Sequence, residues 1–320
     1  KLDYLRRFLP FKNGIPSKNT FARVLSSLDP KLFKQCFIAW IQSFQLALKE
    51  VIAIDGKSLR KSFDKATEQS AIHMVSAFAS EARLVLAQEK VEEKSNEITA
   101  IPRLLDQLAI QGCLVTMDAM GCQKDILSKV IEKGSDYLVT VKSNQKKLHQ
   151  ALDNYFTQYW KTHPLDEVSD HFSEQWDEKH GRKEHRRSWA MSGTSISSLP
   201  TSWQIKTVAA VQSDRMANDK GRSHIRYFIS SRELTADEIL NATRQHWEVE
   251  NKLHWILDVA FGEDQCRARQ GYAAENLATT RQIVLNLLKQ ETGLKLGIKN
   301  KRKACGWDDK YLFKVMGLIK

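Results

Sequence analysis

"VIAIDGKSLR", residues 51–60, decides how the chain is read. Val51 to Ile54 run straight into Asp55, followed by Gly56, Lys57 and Ser58. A strand that ends its apolar run on a carboxylate sets a charge beside the core, where a bare charge is costly. The pattern returns in "CLVTMDAMG" (113–121), which ends on Asp118. One such aspartate reads as a strand-end turn or a helix cap, and "AMGCQ" after Asp118 suits a cap. Two in one layout point further.

The segments around these two give the layout. "AIHMVSAFAS" (71–80) and "RLVLAQEKV" (83–91) continue from the first run as a strand meander. "NEITAIPRLLDQLAIQG" (96–112) reads as a helix stopped by Gly112, and "QKDILSKVIEKG" (123–134) as one stopped by Gly134. "SDYLVTVKSN" (135–144) is a further buried strand. A meander followed by strand–helix units predicts an α/β fold with a mixed sheet flanked by helices. Residues 1–50 predict a helical, mostly core-forming lead-in, with Phe21, Val24, Leu25 and Leu28 at helical spacing. Residues 151–232 break the pattern and read as a β-rich insertion with a basic rim, "DEKHGRKEHRRSWAM". From 233 to 320 the chain is helical again, with one long periodic helix over 235–261 and a basic tail, "KLGIKNKRKACGWDDK".

Functional groups of open α/β sheets gather outside the carboxyl ends of the strands. If the strands of Asp55 and Asp118 are parallel neighbours, their carboxylates sit side by side and repel. A divalent cation relieves this, and oxygen ligands suit Mg²⁺ or Mn²⁺. A third acid would complete a two-metal site for phosphodiester chemistry. The candidate lies in "RQHWEVENKLHWILD" (244–258), where His246, Glu250, His254 and Asp258 recur every four residues and share a helix face. That face also reads as plain solvated polarity. Trp247 and Leu253 fall elsewhere and are expected to pack. Glu248 points about 200° away from Glu250. A zinc site from His246, Glu250 and His254 is disfavoured, because the three spread over two turns and do not converge on one tetrahedral ion.

At 320 residues the chain can bury a full-sized core. Lys plus Arg number 49 against 38 acids, a net charge of +11 that favours a polyanionic partner, nucleic acid foremost. A basic soluble protein without such a partner remains the plainer reading. Five dispersed cysteines fit reduced thiols in a cytosolic protein. No signal-peptide core or transmembrane run stands in the sequence, which predicts no membrane partner. The opening "KLDYLRRFLP" lacks a methionine, so further N-terminal sequence is expected. No Gly-rich phosphate loop or dinucleotide fingerprint supports a metabolic enzyme.

Four stretches, "AIDGKSLRKSFD", "EKSNEITAIPRLLDQL", "TMDAMGCQKDI" and "HWEVENKLHWILDVAFGEDQCRAR", together resemble the H-repeat-associated branch of bacterial insertion-sequence DDE transposases. The resemblance spans nearly the whole chain and includes "FKNGIPSKNTFARVLSSLDP" (11–30). It implies an RNase H-like core, with a β-rich insertion between the second aspartate and the glutamate. The implied catalytic and metal-holding residues are Asp55 at the end of the first strand, Asp118 at the end of the fourth, and Glu250 on the helix after the insertion. Related transposases surround the glutamate with tyrosine, arginine and lysine, where this chain has Thr243, His246 and Leu257. The implied organisation is a helical segment (1–50), the first part of the core (51–150), the insertion (151–232), and core helices with a basic tail (233–320).

The implied reaction is cleavage and strand transfer at insertion-sequence ends by two Mg²⁺ or Mn²⁺ ions about 4 Å apart. The implied partners are double-stranded DNA, as transposon ends and target, and a second copy of the chain on that DNA. A cytoplasmic, nucleoid-associated location follows. Candidates for the DNA backbone are Lys57, Lys142 and Lys252 near the acids, Arg182, Lys183, Arg186 and Arg187 in the first basic run, and Lys301 and Arg302 in the tail. Trp176 and Trp189 read as core residues, with base stacking as the alternative. Two rivals keep the fold: a domesticated DNA-binding relative that no longer cuts, and a nuclease that never joins ends.

Overall fold

The computed structural model describes residues 2–44, 48–63, 70–92, 95–163, 171–179, 182–217 and 220–317. Nine strands form one mixed sheet in the order β3-β2-β1-β4-β5-β9-β8-β7-β6. Its first part is the meander β1 (Val51–Ser58), β2 (His73–Ala79) and β3 (Leu84–Lys90), all antiparallel. β4 (Leu114–Met117) and β5 (Asp136–Val141) then add in parallel, β4 against β1 and β5 against β4. The parallel pairs need crossover helices, and α4 (Glu97–Asp106) and α5 (Lys124–Glu132) supply them. Both helices are amphipathic, burying Ile101, Leu104 and Leu105 from α4 and Ile126, Leu127 and Val130 from α5. The mixed sheet flanked by helices expected from the sequence is therefore present.

β6 (Phe172–Lys179), β7 (Arg182–Ser192), β8 (Thr207–Ala217) and β9 (Lys220–Ser230) form the β-rich stretch. They extend the same sheet, because β9 pairs antiparallel with β5, Leu138 opposite Ser230 and Val141 opposite Tyr227. The joint is fastened by side chains. Ser230 Oγ donates to Tyr137 O at 2.7 Å, and Ser231 Oγ donates to Asp136 Oδ1 at 2.8 Å. Arg232 bonds Asp136 Oδ2 at 2.9 Å and the Gly112 carbonyl at 2.9 Å. Before the extension stands α6 (Lys146–Thr162), in a stretch the sequence reading left without an element. Leu148, Leu152 and Phe156, four residues apart, are its only buried side chains, a stripe too thin to stand out among polar and aromatic neighbours.

On the opposite face from α4 and α5 lies α7 (Ala236–Val249), started by a capping box in which Thr235 and Glu238 bond each other's backbone N–H. The single long helix expected over 235–261 is interrupted. Residues Glu250–His254 form one π-helical turn, closed by Trp255 N–H reaching back to Glu250 O, before α8 (Trp255–Phe261). α9 (Ala273–Gln290), α10 (Ile298–Trp307) and α11 (Asp309–Val315) complete the C-terminal part.

The lead-in is α1 (Leu2–Leu5), α2 (Lys18–Ser27) and α3 (Pro30–Gln42). α3 is core-forming as expected, burying Phe37 and Ile41, but α2 buries no residue and Phe21 and Val24 stay exposed. Polar bonds hold α2 instead. Asn276 Nδ2 of α9 donates to the carbonyls of Leu25 and Leu28, each at 2.8 Å, ending α2 against α9.

Candidate active site

Alternation along the strands builds the site. In β1, Ala53, Asp55 and Lys57 point toward the α7–α8 side, and Ile54, Gly56 and Ser58 toward α4. Asp55 does not end the strand, as expected, but sits inside it, since Gly56, Lys57 and Ser58 still pair with β2. Asp118 follows β4 directly and caps a short 3₁₀ turn, its Oδ1 accepting Met120 N–H at 2.8 Å. It also lines a pocket, so its capping bond does not take it out of the candidate site. The pocket walls follow the same alternation: Thr116 and Asp118 from β4, Leu138, Thr140 and Lys142 from β5, Arg226 and Phe228 from β9. Asp55 forms its floor, and Thr243, His246 and Trp247 of α7 close its side.

The π turn brings the third acid in. His254 is buried, and its Nδ1 lies 3.1 Å from Glu250 Oε2 and 3.6 Å from Asp55 Oδ2. One ligand atom each from Asp55, Glu250 and His254 falls within a 4.8 Å span. The sequence argument against convergence therefore holds for His246 and fails for His254. His246 turns away to Thr116, Nδ1 to Oγ1 at 3.0 Å, and burial pushes its pKa down to about 4. The face read as solvated polarity carries the buried His254 and the half-buried His246.

The electrostatics suit a cation. Burial pushes Asp55 up to about 7, and the charges of Glu97, Asp118 and Glu250 push the same way, opposed by the Gly56 N–H. Burial also raises Asp118, with Glu97 adding to it and the Met120 N–H and Lys142 opposing. Burial holds His254 below its usual value, against the pull of Glu250, so its ring stays neutral and able to donate a lone pair. Carboxylates crowded until one retains its proton, beside a neutral imidazole, are a donor set that a divalent ion satisfies.

Several expected cation roles change. Lys57 does face the side of Asp55, but its ammonium is taken by Asp258 Oδ1 at 2.5 Å and Glu263 Oε2 at 3.1 Å, so it is not open to phosphate. Lys301 is buried, bonded to the Leu288 carbonyl at 3.3 Å and paired with Glu291 Oε2 at 3.4 Å, where it closes the end of α9 and cannot reach DNA. Lys252 pairs with Glu248. Arg186 and Arg187 pair with Glu184 at 2.9 Å and Asp214 at 2.6 Å. Lys183 and Arg302 remain exposed, and the side chain of Arg182, with residues 180–181, lies outside the described residues.

Trp189 is buried as expected, but Trp176 is exposed, stacked on His185 at 3.8 Å. Trp247 is also open, 52% exposed, and does not pack as its position predicted.

Two residues at the site had no part in the sequence reading. Glu97 opens α4 and bonds His73 Nε2 at 2.7 Å. A Cβ on Gly56 would overlap Glu97 Oε1 and His73 Nε2, so the glycine after Asp55 admits this acid to the back of the site. Arg226 of β9 is the other. Its signal was a lone arginine on the same strand face as the inward Phe228.

This fold is that of a DDE transposase domain. Residues 46–287 match the family described as "Transposase DDE domain", and residues 1–41 match "DDE_Tnp_1-associated". The chain belongs to the DDE transposase family, and its core is accordingly of the RNase H-like kind. It is 42% identical over 325 residues to "H repeat-associated putative transposase YhhI" of Escherichia coli K12, covering 98% of this chain and 84% of that one. It is equally 42% identical to "Putative transposase YncI" of Escherichia coli O157:H7, over 99% and 82% of the two chains. "Putative protein YbfL" of Escherichia coli K12 matches at 42%, over 98% and 84%. Among the described residues no helix is long and apolar enough to cross a membrane.

Proposed function

We propose that the protein cuts and joins DNA strands at insertion-sequence ends, with Asp55, Asp118 and Glu250 as its catalytic carboxylates. One observation carries the reading. Asp55 and Glu250 bring ligand atoms together with His254, while Asp118, just past the strand parallel to that of Asp55, lines a pocket with Asp55. In this reading Asp55, Asp118 and Glu250 hold Mg²⁺ or Mn²⁺, which when bound makes a water or a 3′-hydroxyl nucleophilic and eases departure of the phosphate's leaving oxygen. His254 orients the Glu250 carboxylate through its 3.1 Å contact. Thr116 holds His246 against the pocket wall, which fixes the helix that carries Glu250. DNA is the substrate, and a pair of chains on the two ends fits the need to handle both.

The test is nicking of a supercoiled plasmid with Mg²⁺ or Mn²⁺. Asp118→Asn is expected to lower the rate by about a thousandfold, the scale of losing a principal electrostatic contact to the transition state. Activity that survives this substitution would falsify the site assignment. A labelled duplex carrying the element's own terminal sequence then tests joining. Cleavage without a joined product reduces the reading to a nuclease, and DNA binding without cleavage to a domesticated relative.

A further inference from the structure

Arg226 is a cation without an acid, half-buried beside a centre proposed to act on a phosphate. It stands on β9 next to the joint with β5, where Val141 pairs with Tyr227, so the register carried one step further sets it opposite Lys142. Both residues line the pocket that holds Asp55 and Asp118. Its guanidinium lies over the Trp247 ring, 5.4 Å from the centroid. Among the described residues it makes no salt bridge. Glu184, the acid whose charge reaches it, is already bonded to Arg186 at 2.9 Å and Arg215 at 3.1 Å. Burial and the charges of Arg215 and Arg186 lower its proton affinity, the mark of a cation short of counter-charge. A structural arginine in such a setting normally takes a carboxylate, because an unpaired buried charge costs more than it returns.

The outward course of β9 supports the same conclusion. Arg222, His224 and Arg226 alternate onto one face of the strand, and Arg222 and His224 are exposed. They form a line of two arginines with a histidine between them, which starts at the outer end of β9 and ends in the pocket. Neither basic run of the sequence contains it.

We propose that Arg226, with Lys142 beside it, grips a backbone phosphate of the DNA strand entering the pocket along β9. Trp247 holds the guanidinium plane from below and leaves it free to bond phosphate oxygens in a two-pronged fashion. The inference rests on the proposed function only for the identity of the anion as DNA. Arg226 is in this account a substrate-positioning residue and takes no part in bond breaking.

The test is binding, measured without metal. Fluorescence anisotropy of a short fluorescein-labelled duplex with a frayed end, in EDTA across a series of salt concentrations, gives affinity and its salt slope. Arg226→Ala is expected to weaken binding about tenfold at moderate salt and to flatten the logarithmic salt slope by about one, as loss of one phosphate contact requires. Arg226→Lys should restore the slope but only part of the affinity, since a point charge replaces a fork. Arg226→Gln keeps a polar side chain beside Trp247 without the charge and should behave as Arg226→Ala with an unchanged thermal midpoint. Wild-type affinity and slope in Arg226→Ala and Arg226→Gln, both folded, would overturn the proposal. Nicking separates the two readings: Asp118→Asn should fail to nick yet still bind the duplex, whereas Arg226→Ala should bind it more weakly. Should no form of the protein nick DNA, the catalytic reading falls, and the Arg226 comparison still decides this one.

Discussion

At the scale of single residues, the proposed site would set protons and cations in competition for the same carboxylates. Asp55 keeps its proton to about 7 when folded, against an ordinary value of 3.8. The unfolded chain gives that proton up first. Stability from this group is therefore complete below about pH 4 and is lost as pH rises to 7, because over that window the folded state binds more protons than the unfolded one. The loss is on the order of 2–4 kcal/mol in the metal-free protein. Thermal midpoints in EDTA should fall from pH 5 to pH 8, and Asp55→Asn should flatten the decline. Mn²⁺ should restore the midpoint above pH 7 and do little at pH 5, where the proton holds the site. A midpoint independent of pH in both forms would show that Asp55 titrates normally. Asp55, Asp118 and Glu250, the proposed carboxylates, could be picked out in the sequence because apolar runs ended on, or helical spacing presented, a charge. Glu97 and Arg226 were not, since each is brought to the site by a pairing or a crossover that no local pattern records.

Elements explain what local pattern could and could not foretell. The start of α7 is written in the sequence as "TADE", which supplies both halves of its capping box. Thr235→Ala should cost about 1 kcal/mol, the usual value of a lost N-cap, and lower the thermal midpoint by a few degrees. Nicking by the folded fraction should not change, because Glu250 lies at the other end of the helix. A large loss of specific activity would mean that the cap also sets the position of the carboxylate. The π turn at Glu250–His254 is the opposite case. Its residues have ordinary helical propensities, and the apolar period runs through it with Val249, Leu253 and Leu257 all buried. The wider turn falls where Glu250 and His254 meet Asp55, a tertiary contact with a strand nearly 200 residues away in sequence. Within the lead-in, α2 failed in the reverse sense: it shows an apolar stripe but docks by the Asn276 side chain, leaving the stripe exposed.

The whole molecule is organised by one sheet. The mixed order of β1–β5 followed from the alternation of strand and helix, but the extension could not be placed from sequence. A run of antiparallel strands looks the same whether it stands apart or continues a neighbour. Its attachment depends on β5 offering a free edge to β9, with Asp136 and Arg232 joined across the seam. Arg232→Ala removes its bonds to Asp136 and to the carbonyls of Gly112 and Cys113. The half-exposed pair should be worth about 1 kcal/mol. Because both parts share ladder hydrogen bonds, calorimetry should still show one transition, displaced downward. A second, earlier transition in the variant would mean that the extension melts independently of the core.

The register of that seam has a consequence for which genetic changes the chain can absorb. Side chains alternate across a strand, so a slip of one residue in β9 exchanges every inward group for its outward neighbour. Arg226 and Phe228 would leave the pocket, and Ile225 and Tyr227 would enter it. Loss or gain of a single codon within β9 should thus be far more damaging than most replacements of a single amino acid there. Changes of length in the turns beyond the seam, at the distal end of the hairpins, leave the pairing at Val141 and Tyr227 untouched. Among natural copies of such elements, length variation should collect at those tips and be absent where the two halves of the sheet meet.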